Sequence, residues 1–240
     1  MSALVWEGAP PGVRVTFTTR IGGVSEGAFA SLNLGLLTED EPARVVENRR
    51  RACEAAGVDP ETATMALQVH GARVTEARPL GVVTPETDYE PCDGLWSGRP
   101  EQGMLLVTAD CLPVALAASD GAPRLAVLHV GWRGLLAGIA DSGVAAVGAA
   151  AAAAIGPGIG PCCYEVGEDV AAPFRARFGP EVVQGSRLDL PLAAELALRE
   201  AGVESVERVG SCTACDAKRY FSHRRDRGRT GRQGIVAALA

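Results

Sequence analysis

Short apolar runs separated by Gly, Pro and Asp recur along the chain, and between them lie segments with helical periodicity. RVTFTTR at 14–20 alternates apolar and polar residues and is rich in β-branched side chains, so it predicts a strand. EPARVVENRRRACEAA at 41–56 has apolar residues at helical spacing, with Pro42 in the first turn and Gly57 after the last residue, which predicts an amphipathic helix. Strands and helices are therefore mixed along the sequence.

The same criteria give the remaining elements. Further strands are predicted at 65–71, at 103–118 with a break at 110–113, at 124–129, at 151–155, at 206–210 and at 233–240, and further helices from about 135, around 168–178 and at 189–201. No linker or internal repeat divides the chain. Mixed elements with several crossovers predict one α/β domain over residues 1–240, and the pattern leaves the strand order open.

Composition and charge narrow the class of protein. The 240 residues carry a formal net charge of -6, so nucleic acid is not an expected partner, because neutralising phosphates needs a clustered basic surface. The basic run RRDRGRTGR at 224–232 is either a solvated loop or an anion site. Residues 142–164 are uncharged but mostly Ala and Gly, so we expect a helix, a strand and a loop there rather than a membrane span. With no secretory signal in the N-terminal residues, we expect a cytoplasmic protein with no obligate protein partner.

Seven cysteines occur in the chain, and an odd number without a secretory signal favours free thiols over disulfides. Cys212 and Cys215 form a C-x-x-C pair with no second such pair, so a closed four-ligand zinc site is not expected. Adjacent Cys162 and Cys163 are expected to pack beside a Gly/Pro loop. Structural roles are the expectation for all four.

Three residues at predicted strand ends are candidate metal ligands. His70 and His129 each follow an apolar strand and precede Gly or Val-Gly, and Cys111 lies where the strand at 103–118 breaks. Strand ends are where α/β proteins collect functional side chains, so the three could meet in one pocket. Two imidazoles and a thiolate suit zinc and leave a fourth position open, as catalytic zinc sites do. The alternative is two hydrogen-bonded core histidines and a buried thiol.

Asp110 stands beside Cys111 in the same apolar segment. A buried carboxylate needs a partner or a chemical task, because an unpaired buried charge is costly. Near a metal it could act as general base and acid. The other interpretation is structural, with Asp110 accepting hydrogen bonds from loop amides or from Arg133.

Several motifs in combination are typical of one family. They are TTRIGGVSEGAFASLNLG (18–35), ENRR (47–50), QVHG (68–71), CDGLWS (92–97), TADCLPV (108–114), HVGWRG (129–134), IGPGIGPCCYEVG (155–167), LDL (188–190) and CTACDAKRYFSHRRDRGRTGRQ (212–233). On these residues the chain resembles the YfiH/laccase-domain family, also called the multi-copper polyphenol oxidase family, which includes zinc-dependent purine nucleoside phosphorylases. It departs from the family pattern at Val130, where Ala is usual, and at His223, where Tyr is common.

The resemblance implies an α/β (α+β type) sandwich of mixed β-sheets with flanking helices, and Zn²⁺ bound by His70, Cys111 and His129. The implied activity is phosphorolysis of adenosine, guanosine, inosine and 5′-methylthioadenosine to a base and ribose 1-phosphate, together with deamination of adenosine. Candidate catalytic residues are Asp110, Cys111 and Arg133, and candidate substrate- and phosphate-binding residues are Arg20, Asn33, Arg49, Gln68, Arg224 and Arg225.

Three other functions remain open from the residues alone. Copper-dependent polyphenol oxidation is disfavoured, because type 1 and trinuclear copper centres together need many imidazoles and the chain has three histidines. A cysteine hydrolase could use Cys111 as nucleophile with His70 or His129 as base, for example on amides of peptidoglycan precursors. A purine- or phosphate-binding protein without catalysis would bind nucleoside and release no product.

Overall fold

Two β-sheets face each other at the centre of the molecule, and helices cover their outer faces. The computed structural model describes residues 2–81, 89–118 and 121–240. The strands in this part of the chain are β1 (Ala3–Val5), β2 (Val13–Thr18), β3 (Val74–Glu76), β4 (Gly94–Ser97), β5 (Met104–Thr108), β6 (Leu112–Ala118), β7 (Leu125–Val130), β8 (Ala150–Ile155), β9 (Val183–Gln184), β10 (Arg187–Leu188), β11 (Ser205–Arg208) and β12 (Gln233–Leu239). The α-helices are α1 (Pro42–Ala55), α2 (Trp132–Leu136), α3 (Ile139–Val147), α4 (Glu168–Phe178) and α5 (Leu190–Glu200).

The larger sheet has the strand order β11-β8-β6-β7-β4-β3, and the smaller has the order β1-β2-β12-β5. In the larger sheet, β11 runs parallel to β8 and β3 runs parallel to β4, whereas the central pairs are antiparallel. The strands β9 and β10 form a separate pair. Pairing of β6 with β7 sets Pro113 opposite His129, so Cys111, just before β6, lies across from the end of β7.

Three apolar clusters separate four layers. One lies between the two sheets, one between the larger sheet and helices α2 to α5, and one between the smaller sheet and α1. Central members of the three clusters are, in that order, Phe17, Val127 and Ile235; Leu116, Leu128, Ile139 and Phe174; and Ala52, Cys53, Leu105 and Val236. The predicted sandwich of mixed sheets with flanking helices is therefore confirmed.

The central strands β6 and β7 have apolar residues on both faces. Helices cover one face of the larger sheet and the smaller sheet covers the other, so every residue of β7 is buried. Strands buried on both faces read as continuous apolar runs rather than as alternating ones. His129 is the one residue of β7 with a polar side chain, and it lies at the strand end where the candidate site forms.

Most predicted elements are confirmed, among them α1 within 41–56, α4 at 168–178, and the break between β5 and β6. The strand predicted at 65–71 is wrong, since only isolated bridges at Thr64 and Leu67 are found there. Backbone N–H groups of residues 69–71 donate to a buried carboxylate instead of to a neighbouring strand.

The helix α2 begins within HVGWRG, at Trp132, three residues before the predicted start at about 135. Gly131 has the extended conformation of an N-cap, so the helix starts directly after it. The sequence does not predict five short strands, because two to four residues are too few to show alternation: β1, β3, β4, β9 and β10. Within residues 2–81, 89–118 and 121–240, every helix falls short of the length and apolarity that a bilayer crossing requires.

Candidate metal centre

His70, Cys111 and His129 meet at one edge of the larger sheet. His129 is the fifth residue of β7, Cys111 directly precedes β6, and His70 belongs to the loop before β3. One ligand atom from each residue lies within 4.8 Å of the others, and the two imidazole rings are 4.8 Å apart between centroids at an angle of 72°. The fold thus brings together the three side chains that the sequence singled out.

The carboxylate of Asp93 contacts both histidines of this cluster, one through its ring and the other through its backbone. Its Oδ1 lies 2.8 Å from His129 Nδ1, and its carboxylate accepts backbone N–H bonds from Val69 (3.1 Å), His70 (2.9 Å) and Gly71 (2.6 Å). The φ of His70 is 61°, a left-handed conformation that is strained for a residue with a side chain and that these N–H bonds stabilise. Because Asp93 engages Nδ1, His129 presents Nε2 to the cluster.

Attraction between Cys111 and His129 lowers the pKa of the thiol and raises the pKa of the imidazole, which favours a thiolate beside an imidazolium. Burial opposes ionisation of the Cys111 thiol, but His129 and His70 outweigh burial and lower its pKa to about 6. Burial also opposes protonation of His129, but Cys111 and Asp93 raise its pKa to about 9. A thiolate among imidazoles is ready to bind a metal cation, which then takes the place of the imidazolium proton.

The three donors fit a metal that prefers nitrogen and sulfur. Zinc sites use this combination with an open fourth position, and copper sites use two histidines and one cysteine as well. A Cβ at Gly131 would lie 3.1 Å from Cys111 Sγ and 3.2 Å from His70 Cδ2, so glycine is the residue that leaves both ligands their positions. The donor set therefore fits zinc or copper and is poorly suited to magnesium or calcium.

Asp110 is buried and connects two other segments to the site. Its Oδ1 accepts a hydrogen bond from Thr213 Oγ1 at 2.6 Å, and its Oδ2 accepts one from the backbone N–H of Arg224 at 2.6 Å. Its carbonyl oxygen accepts the N–H of Ile159 at 2.8 Å. The Thr213 hydroxyl and the Arg224 N–H, and not Arg133, are thus the hydrogen-bond partners of the buried carboxylate.

A cavity of about 620 Å³ opens in front of the three ligands, within the size range of small-molecule sites. All three histidines of the chain line it. The other polar side chains in its wall include Arg49, Gln68, Tyr89, Asp110, Tyr164, Arg224 and Arg232. The cavity therefore combines the candidate metal ligands with cationic and aromatic groups.

Three of the predicted binding residues lie in the wall of this cavity. The guanidinium of Arg49 donates to Tyr89 Oη at 2.9 Å. The side-chain amide of Gln68 exchanges two hydrogen bonds with the backbone of Val107, at 2.7 and 2.9 Å. Arg224 reaches the cavity from the basic run at 224–232, so part of that run belongs to the site.

Arg20, Asn33, Arg133 and Arg225 lie outside the cavity wall. Arg20 and Arg225 donate to backbone carbonyls of neighbouring loops, and the exposed Arg133 stacks 4.4 Å from the centroid of the adjacent tryptophan ring. Asn33 is buried and braces the loop at 35–38, which does line the cavity.

Residues of the site that the sequence did not single out include Asp93, Tyr89 and Tyr164, whereas Arg232 belongs to the basic run at 224–232, one of whose interpretations is an anion site. Asp93 lies in CDGLWS, where a carboxylate directly before a buried strand is a usable signal. Tyr164 and Arg232 belong to loops, where no periodicity shows which way a side chain points. Burial lowers the pKa of Arg232, whereas Asp110 and Cys111 raise it, so this guanidinium lies within the field of both groups.

The four cysteines that we expected to have separate structural roles come together. The sulfur atoms of Cys162, Cys163, Cys212 and Cys215 lie within 4.8 Å of one another. The C-x-x-C pair therefore does have two further cysteines beside it in space, although neither is close to it in sequence. Sequence spacing conceals the cluster, because Cys162 and Cys215 are 53 residues apart.

Fold and site together define a class of protein: an α/β sandwich with a His–Cys–His candidate metal site in its cavity. The chain belongs to the family described as multi-copper polyphenol oxidoreductase laccase, whose model matches residues 14–240. The resemblance to YfiH/laccase-domain proteins is confirmed by relatives that carry these names.

The relatives cover nearly the whole chain. The chain is 39% identical over 235 residues to the protein named purine nucleoside phosphorylase PA4543 of Pseudomonas aeruginosa, with 93% of this chain and 92% of that protein covered. It is 36% identical over 232 residues to the protein named purine nucleoside phosphorylase YfiH of Escherichia coli, with coverage of 93% and 92%. The crystal structure of YlmD from Geobacillus stearothermophilus matches with a TM-score of 0.89 at 35% identity, covering 99% of this chain and 96% of that one.

Proposed function

We propose that this protein is a purine nucleoside phosphorylase, which transfers the ribosyl group of a purine nucleoside to inorganic phosphate. One observation carries the proposal: the His–Cys–His cluster lines the same cavity as Arg224, whose Nη1 donates to Glu165 O at 2.6 Å, and Arg232. Such a cavity can hold an anion beside a nucleoside. The names of the relatives, purine nucleoside phosphorylase, support the assignment.

Phosphate binding is assigned to the arginines of the cavity wall. Guanidinium groups match phosphate oxygens with paired N–H donors, and Arg224 and Arg232 are two such groups from one loop. Arg232 Nη1 donates to the carbonyl oxygens of Thr230 and Gly231 at 2.8 and 3.0 Å, which fixes its orientation in the wall. Of the two earlier interpretations of the run at 224–232, the anion site is the one we propose.

The purine is assigned to the aromatic and apolar side of the cavity. Tyr164 lies there with Arg224 over its ring, 5.2 Å from the centroid. A flat base stacks well on such a face. Burial raises the pKa of Tyr164 to about 12, so its hydroxyl stays protonated and can donate a hydrogen bond to a ligand.

Zn²⁺ is the metal we propose for His70, Cys111 and His129. When bound, the ion supplies a Lewis acid at the floor of the cavity. Asp93 holds the His129 ring with Nε2 directed at the ion, and hydrogen-bonded carboxylates of this kind orient metal-binding histidines.

Asp110 is proposed as a positioning residue. Both of its carboxylate oxygens accept short hydrogen bonds, which tie the segments around Thr213 and Arg224 to the residue next to Cys111. The geometry therefore favours the structural interpretation of Asp110 over the catalytic one.

The substrates we propose are adenosine, guanosine, inosine and 5′-methylthioadenosine, with adenosine also deaminated to inosine. These assignments rest on the resemblance to the family. Phosphorolysis of adenosine yields adenine and ribose 1-phosphate, whereas deamination replaces the amino group at C6 and keeps the glycosidic bond. One chromatographic separation of adenine, adenosine, inosine and hypoxanthine therefore distinguishes the two reactions.

The lowered pKa of Cys111 favours one second candidate, a cysteine hydrolase. A thiolate beside a protonated histidine is also the resting state of such enzymes. Zn²⁺ bound to this thiolate would prevent it from acting as a nucleophile. Stoichiometric zinc together with protection of Cys111 from alkylation would exclude the hydrolase. Polyphenol oxidation, which the family description names, is not proposed because three histidines cannot build a type 1 and a trinuclear copper centre together.

Incubation of the purified protein with adenosine, with and without phosphate, tests the proposed function. Phosphate-dependent release of adenine and ribose 1-phosphate supports it, and absence of both products from a zinc-loaded sample contradicts it. Cys111→Ala is expected to abolish turnover and to lose the metal of the His–Cys–His cluster. The matched control is Cys53→Ala, which removes a buried thiol on the face of α1 that packs against the smaller sheet, and this variant should keep both turnover and metal.

A further inference from the structure

A second group of four thiols lies on the two loops that follow β8 and β11. Cys162 and Cys163 come after β8, and Cys212 and Cys215 come after β11. The strands β8 and β11 are parallel neighbours, so the loops leave the sheet at the same edge. The topology of the fold, and not proximity in sequence, brings the four side chains together.

The spacing of the four sulfur atoms is that of a tetrahedral metal site. All four lie within 4.8 Å of one another, and Cys215 Sγ is 3.4 Å from the Sγ atoms of both Cys162 and Cys163. Zinc bound by four thiolates at about 2.3 Å holds its sulfurs about 3.8 Å apart. A disulfide would need about 2.05 Å and would join only two of them. Cys215 is equally close to two partners, so the arrangement selects no single pairing.

Local backbone structure supports this interpretation. Residues 161–163 form a turn, which lets the adjacent Cys162 and Cys163 both face Cys215. Cys212 Sγ accepts the N–H of Gly160 at 3.3 Å. Backbone N–H groups that donate to sulfur stabilise thiolate ligands in metal sites. Cys162 and Cys215 are exposed, so an ion can reach the sulfurs from solvent.

We propose that Cys162, Cys163, Cys212 and Cys215 bind a second Zn²⁺ in a closed structural site that is distinct from the His–Cys–His cluster. Four Zn–S bonds form, and the thiols release their protons to solvent. With all four coordination positions filled by protein, the ion has no open position and takes no part in the reaction. The proposal stands independently of the reaction that the cavity catalyses.

The consequence of this second site is that it braces the wall of the cavity. Tyr164, which lines the cavity, directly follows Cys163. Thr213, between Cys212 and Cys215, donates its N–H to Gly158 O at 3.0 Å and its hydroxyl to Asp110 at 2.6 Å. An ion that joins the two loops therefore fixes both the aromatic face and the partner of the buried carboxylate.

Metal counting tests the proposal without relying on activity. Reduced protein, loaded with Zn²⁺ and passed through a desalting column, should hold two zinc ions per chain. Cys111→Ala should retain one, Cys212→Ser/Cys215→Ser should retain one, and the triple variant should retain none. Cys53→Ala, with a thiol outside both clusters, should retain two. X-ray absorption of zinc in Cys111→Ala should show four sulfur neighbours at about 2.3 Å.

Cobalt substitution provides a test that does not depend on whether the serine variants fold. Co²⁺ added to reduced Cys111→Ala should give strong sulfur-to-cobalt charge-transfer absorption, and its intensity should match four thiolates rather than one or two. A single metal per wild-type chain with a mixed nitrogen and sulfur shell would overturn the proposal. So would disulfides that form among the four cysteines when the reduced protein is exposed to air in the presence of excess Zn²⁺.

Discussion

Asp93 Oδ1 lies 2.8 Å from His129 Nδ1, and the same carboxylate accepts N–H bonds from the loop that carries His70. One buried side chain thus orients one candidate ligand directly and the other through its backbone. Asp93→Asn should lower affinity for Zn²⁺ by about 10- to 100-fold, the usual cost of losing such a partner. Competition with a chromophoric chelator measures this change.

The control for this variant is Asp169→Asn, an exposed position in the first turn of α4 that is remote from the site in sequence. It should leave zinc affinity unchanged. Unchanged zinc affinity in a folded Asp93→Asn protein would show that the hydrogen bond to His129 does not support a metal ligand.

The acidity of Cys111 leads to a pH-dependent prediction for the metal-free protein. Its pKa is lowered to about 6, so alkylation by iodoacetamide should reach half its maximal rate near that pH. His129→Gln should shift the midpoint upward, because it removes the positive charge that stabilises the thiolate. Mass spectrometry of the peptide that contains Cys111 separates its reaction from those of other thiols. Cys53, whose pKa burial raises to about 12, should stay unreactive.

Together, Cys111 and His129 should make the free energy of unfolding depend little on pH between about pH 6.5 and 9. In this window folded Cys111 has lost a proton that the unfolded chain keeps, so its contribution to the free energy of unfolding rises with pH. Folded His129 keeps a proton that the unfolded chain releases, so its contribution falls as pH rises towards 9. The two slopes offset. Urea denaturation should therefore give a nearly constant difference between wild type and Cys111→Ala/His129→Gln across the window.

Arg224→Gln tests the assigned phosphate site. Losing a charge-assisted hydrogen bond costs about 1.5–3 kcal/mol, so the KM for phosphate should rise roughly 10- to 150-fold. The KM for the nucleoside should change less. Arg208→Gln removes an exposed guanidinium paired with Glu195 and is the control for loss of charge. An unaltered KM for phosphate in Arg224→Gln would move the anion site elsewhere in the cavity.

Asp110→Asn separates positioning from proton transfer. The amide places an N–H donor where one carboxylate oxygen accepted, so either the N–H of Arg224 loses its acceptor or the Thr213 hydroxyl must turn to accept. If Asp110 positions the site, kcat/KM falls while the shape of its pH profile is retained. Disappearance of one limb of the profile would instead assign Asp110 to proton transfer.

Sequence alone predicts the parts of the fold where pattern is strong. The break in the apolar run at Asp110 and Cys111 marks the start of β6, and the apolar segment before His129 marks β7, so two of the three candidate ligands follow from neighbouring strand ends. The segment at 65–71 is wrongly predicted as a strand because its residues are mostly apolar. In the structure it is a loop, and its N–H groups at 69–71 donate to Asp93. Backbone hydrogen bonding to a side chain leaves no periodic signal.

The arrangement of distant segments is what the sequence cannot show. Cys162 meets Cys215 only because β8 and β11 are neighbours in the sheet, and the strand order cannot be derived from periodicity. The same holds for Arg20 and Arg225, whose guanidinium groups turn to backbone carbonyls rather than to the cavity. Residue type indicates what a side chain can do, and tertiary contacts decide where it points.

The register between β6 and β7, which sets Pro113 opposite His129, fixes how Cys111 and His129 face each other in the His–Cys–His cluster. A slip of one residue would turn His129 to the opposite face and carry Cys111 out of reach of its partners. Only chains with the native strand alignment could then capture the ion at this site. Binding of the proposed metal would therefore stabilise the correctly aligned sheet relative to misaligned ones, because only the native alignment binds the ion.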